Sequence, residues 1–157
     1  MEEKEIDFKF YFFNSEMFLG KIKANSEEKN VLFRTNIFDD KFHFLLYDFC
    51  SLYYSNQEFD NISKYHLHEN PSIEFKDTLT LIEFIQEKIL KVDDENRTIL
   101  QEDNSFIFEN FVNIIKVKWR FECDITHINT PKVSDIIQNL FVKPLLNTLL
   151  VNFIFIF

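Results

Sequence analysis

One glycine in 157 residues is too few for the loops that cradle phosphates, so Gly20 alone excludes the usual nucleotide-binding fingerprints. Cysteine is almost as scarce. Cys50 and Cys123 give no disulfide framework, and the opening Met-Glu-Glu-Lys-Glu lacks the basic and apolar regions of a secretory signal. A reducing compartment, cytosol or nucleus, is expected. Long apolar runs are also missing. The uncharged stretch from Pro144 to Phe157 is shorter than the roughly 20 residues a membrane span needs, and it carries Asn147 and Asn152, so no membrane anchor is expected. Basic charge is in deficit, with 17 Lys and Arg against 26 Asp and Glu and a net charge of −9, which argues against phosphate-backbone binding by the whole surface. The imbalance is local. Residues 111–157 hold five basic and three acidic residues, which leaves −11 on the first 110. An acidic head of this kind is expected to meet protein rather than DNA.

What is abundant is apolar and aromatic. With 46% hydrophobic residues and 21 Phe the chain is far too apolar for disorder, and its length suits one head domain with an appendage. Three strand-like runs open it, Asp7 to Phe13, Met17 to Ala24 and Asn30 to Arg34, separated by Asn-Ser turn chemistry. From Ile37 the spacing changes. Ile37, Phe38, Phe42, Leu45, Leu46, Phe49 and Leu52 recur at steps of three and four, which predicts a helix capped by Thr35 or Asn36. Residues 55–72 are polar and hold Pro71, which suggests a loop or short helix. A second amphipathic helix is predicted over residues 77–90, with Asp77 as N-cap and Leu79, Ile82, Ile85, Ile89 and Leu90 inward. Strands resume at Arg97 to Gln101, Phe106 to Glu109 and Val112 to Cys123. In the last, Val117, Trp119, Phe121 and Cys123 alternate with Lys118, Arg120, Glu122 and Asp124, a period of two. Strands, helices and strands again make an α+β fold built on antiparallel sheet. Thr130-Pro131 then starts a helix whose Val133, Ile136, Ile137, Leu140 and Phe141 form an apolar stripe like the first heptads of a coiled coil. Pro144 does not fit that helix, because an interior proline costs about 3 kcal/mol.

Catalytic constellations are weak. His66 and His68 with Cys50 or His127 lack the second closely spaced ligand pair of a metal site. Cys123, Asp124 and His127 have the residue types of a thiol nucleophile and its base, but Cys123 falls on the core face, where a thiol behaves as a small hydrophobe. Glu27-Glu28 and Asp93-Asp94-Glu95 lie in turns and read as solvated charge. Neither enzyme, cofactor nor metal is expected.

Val117-Lys-Trp-Arg-Phe-Glu-Cys123, then Thr130-Pro-Lys-Val-Ser134, Ile137 and Lys143-Pro-Leu145, together resemble the XLF (Cernunnos) family of non-homologous end-joining factors. The resemblance implies an antiparallel β-sandwich head over residues 1–128 with a helical insertion at about 37–91. It further implies that residues 129–157 begin a coiled-coil stalk. It also implies a nuclear, non-catalytic scaffold that bridges DNA ends through head-to-head contact with the ligase IV scaffold protein, works with the ligase IV complex and Ku, and forms a homodimer through the stalk. By the family's pattern Ile115 stands where a leucine plugs a pocket on the scaffold, and Lys64-Tyr65 match a basic and an apolar residue that complete the surface. Residues 149–157 lack the polar faces of a coiled coil and read as a truncated gene model or a translated AT-rich intron. On that reading dimerisation, Ku contact and DNA binding are in doubt for these 157 residues. Two rivals share or avoid the architecture: a head-plus-stalk relative, either the ligase IV scaffold itself or a centriolar assembly protein, and a small thiol hydrolase using Cys123 and His127.

Overall fold

The computed structural model describes residues 7–126 and 131–156. A short helix α1 (Phe8–Phe12) precedes β1 (Met17–Ala24), β2 (Glu27–Phe38), β3 (Lys41–Tyr47) and β4 (Leu52–Glu58). Two helices follow, α2 (Phe59–Glu69) and α3 (Thr78–Ile85), the latter running on into a π turn at Gln86–Leu90. The chain continues as β5 (Arg97–Glu102), β6 (Ser105–Val112), β7 (Ile115–Glu122) and β8 (Asp124–Thr126). A last helical stretch comprises α4 (Pro131–Ile137), a second π turn at Gln138–Val142 and α5 (Lys143–Ile156).

All eight strands join one sheet in the order β7-β6-β5-β1-β2-β3-β4-β8. Every pairing is antiparallel except β1 with β5, which meet in parallel at Ile22↔Ile99 and Lys23↔Leu100. The α+β class expected from the sequence is thus present, with a mixed sheet in place of a purely antiparallel one. The sheet curls until its ends face each other. Phe44 on β3 stacks on Phe121 of β7 with ring centroids 4.0 Å apart, and Tyr53 on β4 meets Phe106 of β6 at 4.9 Å. Phe33, Phe42, Phe108 and Trp119 fill the same interior, all fully buried. Burying aromatic rings of this size dominates the energetics of a small core.

Turns show how a chain with one glycine reverses direction. Asn25-Ser26 between β1 and β2, and Asp39-Asp40 between β2 and β3, all take positive φ, between 49° and 67°. Such pairs suit tight hairpins, and Asn and Asp tolerate the left-handed region better than most residues. Phe49 tolerates it poorly, yet has φ 69°. Asp48 holds that loop in place, its Oδ1 accepting from the backbone N–H of Cys50 at 2.9 Å and of Ser51 at 2.7 Å.

Several expectations fail, among them the single strand from Val112 to Cys123, which the turn at Asn113-Ile114 divides between β6 and β7. The run from Asp7 to Phe13 is helical, with Asp7 accepting from the Phe10 N–H as N-cap, and its Phe8 and Phe12 are buried. The helix expected from Ile37 to Leu52 is instead the end of β2, all of β3 and the start of β4, so the inserted helices occupy residues 59–90 rather than 37–91. The cause is burial on both faces: Phe42, Phe44 and Leu46 enter the aromatic interior while Leu45 and Tyr47 meet a second core with Phe8, Phe12, Ile137 and Phe141. In α3 the inward residue is Leu81, whereas Leu79 is 47% exposed. Asp77 does cap this helix, accepting from the Thr80 N–H at 2.8 Å. The cap expected at Thr130 lies outside the described residues.

Candidate functional site

β7 is an edge strand, and its alternation is as expected: Val117, Trp119 and Phe121 are fully buried while Lys118 and Arg120 are half-buried on the other face. An open edge would offer unpaired backbone groups to any passing strand. Here α2 lies along it. Asn70, just past the end of α2, imitates a neighbouring strand: its Nδ2 donates to the Lys118 carbonyl at 2.9 Å, and the Lys118 N–H donates to its Oδ1 at 3.0 Å. Gln57 of β4 does similar work one step along, donating from Nε2 to the Arg120 carbonyl at 3.1 Å and accepting from Trp119 Nε1 at 3.3 Å.

Tyr65 sits on this platform. Its ring meets Trp119 edge-on at 4.8 Å, and burial pushes its phenol pKa up, with Glu69 adding to the shift. It lines a polar cavity of about 330 Å³ with Gln57, Asn61, Arg120 and Glu122. Lys64, beside it on α2, is exposed. Ile115 opens β7 at the tip of the β6–β7 hairpin, paired with Val112 across a turn in which Asn113 has φ 58°. Four residues of strand, roughly 13 Å of rise, separate Ile115 from Trp119. Lys64, Tyr65 and Ile115 therefore share one edge of the molecule without sharing a pocket, and Asn70 is fixed to the strand between them.

Ile115 is 37% exposed, at the end of the strand face that carries the buried Val117, Trp119 and Phe121. Its neighbours were not singled out from the sequence. Ile114 is 93% exposed and Phe111 65%; Phe111 stands opposite Lys116 on the charged outer face, whereas Ile115 stands opposite Val112 on the face of Val117 and Trp119, so apolar side chains reach solvent around the hairpin end rather than on one face. The available signal was Asn113 between two apolar runs, which marks a two-residue turn and leaves one flanking isoleucine in solvent. The basic residues of β7 are neutralised locally. Lys116 meets Glu109 at 3.1 Å, and Arg120 meets Glu102 at 3.6 Å and Glu122 at 3.8 Å. That pairing leaves little positive field on this face for a nucleic-acid backbone.

The weaker constellations come apart. His66 is buried and bonds through Nε2 to the Ile73 carbonyl at 2.6 Å, while His68 stands in solvent beside Glu69. Among the described residues no group of three His, Cys, Asp or Glu side chains is placed to hold a metal. Burial, with Asp124 and Glu122 nearby, pushes the Cys123 thiol far above its ordinary range, the opposite of what a nucleophile needs. The partner suggested for it, His127, lies outside the described residues. Among those residues no helix is long and apolar enough to cross a membrane.

The XLF N-terminal domain family matches residues 19–125, from β1 into β8 and across the whole aromatic interior. No curated protein matches the chain. The family match covers well over half the sequence and includes Trp119 to Cys123, Lys64, Tyr65 and Ile115. The chain therefore belongs to the XLF family, non-catalytic factors of DNA double-strand break repair by non-homologous end joining.

Proposed function

We propose that this protein is a nuclear scaffold that helps bridge broken DNA ends through head-to-head contact with the ligase IV scaffold protein. The observation that carries the reading is the family match over residues 19–125. The apolar end of the β6–β7 hairpin supports it, since Ile114 and Ile115 reach solvent beside charged residues, as at a protein-docking surface. Ile115 is the anchor. Lys64 adds a rim charge, and Tyr65 supports the surface from beneath through Trp119. The exposed Leu146, Leu149, Leu150 and Val151 of α5 are the natural seat of a homodimer contact. Contact with the ligase IV complex and Ku belongs to the same reading, and contact with DNA belongs to the full-length family.

Ile115→Asp and Lys64→Glu, assayed by calorimetry against the purified ligase IV scaffold protein, are expected to abolish binding and to weaken it, respectively. Both variants keep the parent's thermal melt. Undiminished binding by Ile115→Asp, or loss of the fold in that variant, overturns the assignment.

A further inference from the structure

Pro144 stands inside the C-terminal helical stretch, where its nitrogen has no hydrogen to give. The carbonyl thereby deprived of its usual i+4 donor is that of Leu140, which is 3% exposed. A buried carbonyl without a partner is costly, and the helix alone has lost the group that would satisfy it. The Arg34 Nε, from β2, donates to this oxygen at 2.8 Å. Its Nη1 donates to the Ser15 carbonyl, between α1 and β1. One guanidinium therefore ties the N-terminal segment, the sheet and the C-terminal helix together. Leu140 also lies in the π turn, where the Lys143 N–H reaches back to Gln138 rather than to Asn139.

A guanidinium so placed is not there for charge pairing. Desolvation by burial is what lowers its pKa, and no carboxylate offsets that. An aliphatic side chain of similar length would fill the space without the desolvation cost, but it would leave Leu140 without a donor. The fork of N–H groups on arginine is directional, so it fixes register as well as proximity. The same solution recurs at the other π turn. Arg97, also buried, donates from Nη1 to the Leu90 carbonyl at 2.5 Å where that π turn ends, although there Asp94 pairs with the guanidinium at 3.2 Å.

We infer that Arg34 is a positioning residue for the C-terminal helix, supplying from the sheet the hydrogen bond that Pro144 removes and so fixing the direction in which α5 leaves the head. The apolar contacts of Val133, Ile136, Ile137 and Phe141 hold the helix on the sheet, yet such contacts alone allow it to slide and roll. The backbone bond at Leu140 stops both. This joint sets the angle between the hairpin tip and α5 whatever partner either surface takes.

The test is a double-substitution cycle read at the joint. Arg34→Met removes the donor, and Pro144→Ala restores an N–H within the helix. In Arg34→Met, amide exchange over residues 141–148 is expected to accelerate about tenfold or more, with sheet-core amides unchanged. The spin-label distance distribution between native Cys50 and Asn147→Cys, in a Cys123→Ser background, is expected to broaden. Adding Pro144→Ala to Arg34→Met brings both readouts back towards the parent. An Arg34→Met effect of equal size in both backgrounds, or one spread evenly over the sheet, overturns the inference. If Arg34→Met alone does not fold, the double variant decides: a folded protein with a narrow distribution supports the joint, and failure to fold refutes it.

Discussion

Replacing Asn70 tests whether a side-chain amide truly serves as the last rung of the sheet. Asn70 is 4% exposed and makes two hydrogen bonds to the Lys118 backbone, at 2.9 and 3.0 Å. Asn70→Ala deletes both, each worth about 1 kcal/mol, and leaves the Lys118 N–H and carbonyl to whatever water can reach a half-buried strand. A loss of about 2–3 kcal/mol follows, or about 4–12 °C in melting temperature for a chain of this size. Asn70→Asp sharpens the test. The ionised carboxylate still accepts from the Lys118 N–H but confronts the Lys118 carbonyl, while the protonated acid can donate to it. Burial and the facing carbonyl raise the folded-state pKa above the unfolded value of about 3.9. The stabilising share is thus complete below the unfolded pKa and is lost as the pH rises through the folded one. Urea denaturation at pH 4 to 8 should show Asn70→Asp close to the parent in acid and below Asn70→Ala at neutrality. A loss under about 0.5 kcal/mol for Asn70→Ala, or a flat pH profile for Asn70→Asp, would refute the account.

Gly20→Ala is expected to destabilise by about 1–3 kcal/mol, because its new Cβ would meet Ile99 Cδ1 at 3.0 Å and Arg97 Nη2 at 3.1 Å in a packed interior; a chemical denaturation midpoint equal to the parent's would contradict this. His43, buried and bonded through Nδ1 to the Tyr54 hydroxyl at 2.8 Å, has its pKa lowered chiefly by burial. Its share of stability is present above the unfolded pKa of about 6.5 and is lost as the pH falls through the folded one, so His43→Phe should flatten the stability profile between pH 4 and 7. Cys123 should resist alkylation until the protein unfolds, whereas the exposed Cys50 reacts at once; prompt modification of Cys123 in the native state would reopen a nucleophilic role.

Much of the molecule was legible where one face of an element is wet. β1 begins and ends at Met17 and Ala24 as its pattern implies, β7 alternates cleanly, and Asp77 caps α3. Legibility failed where both faces are dry. From Phe42 to Tyr47 every residue is buried, so the period of two vanishes and chance spacing imitates a helix. Asp39-Asp40 gave no warning, since a hairpin is usually announced by glycine and this chain uses almost none. The aromatic run of α1 reads as strand by preference, and only its packing on Tyr54 and Phe141's cluster makes it a helix. Pro144 contradicted the helix around it because its remedy, Arg34, lies 106 residues from Leu140 in sequence. At the candidate surface, family resemblance singled out Ile115, Lys64 and Tyr65, while Phe111 and Ile114 needed the exposed hairpin to be seen.

The two-residue parallel junction between β1 and β5 bears on how the chain folds. On one side of it lie β1 to β4, on the other β5 to β7, and each set is stitched by short antiparallel hairpins that can form quickly and locally. The halves become one sheet only when Ile22 finds Ile99 and Leu52 finds Thr126, contacts that each close about half of the chain into a loop. Loop closure must come before the aromatic interior can repay it. The curling of the two meanders onto each other is therefore expected to come late in folding, and until then both unpaired edges lie open to another molecule.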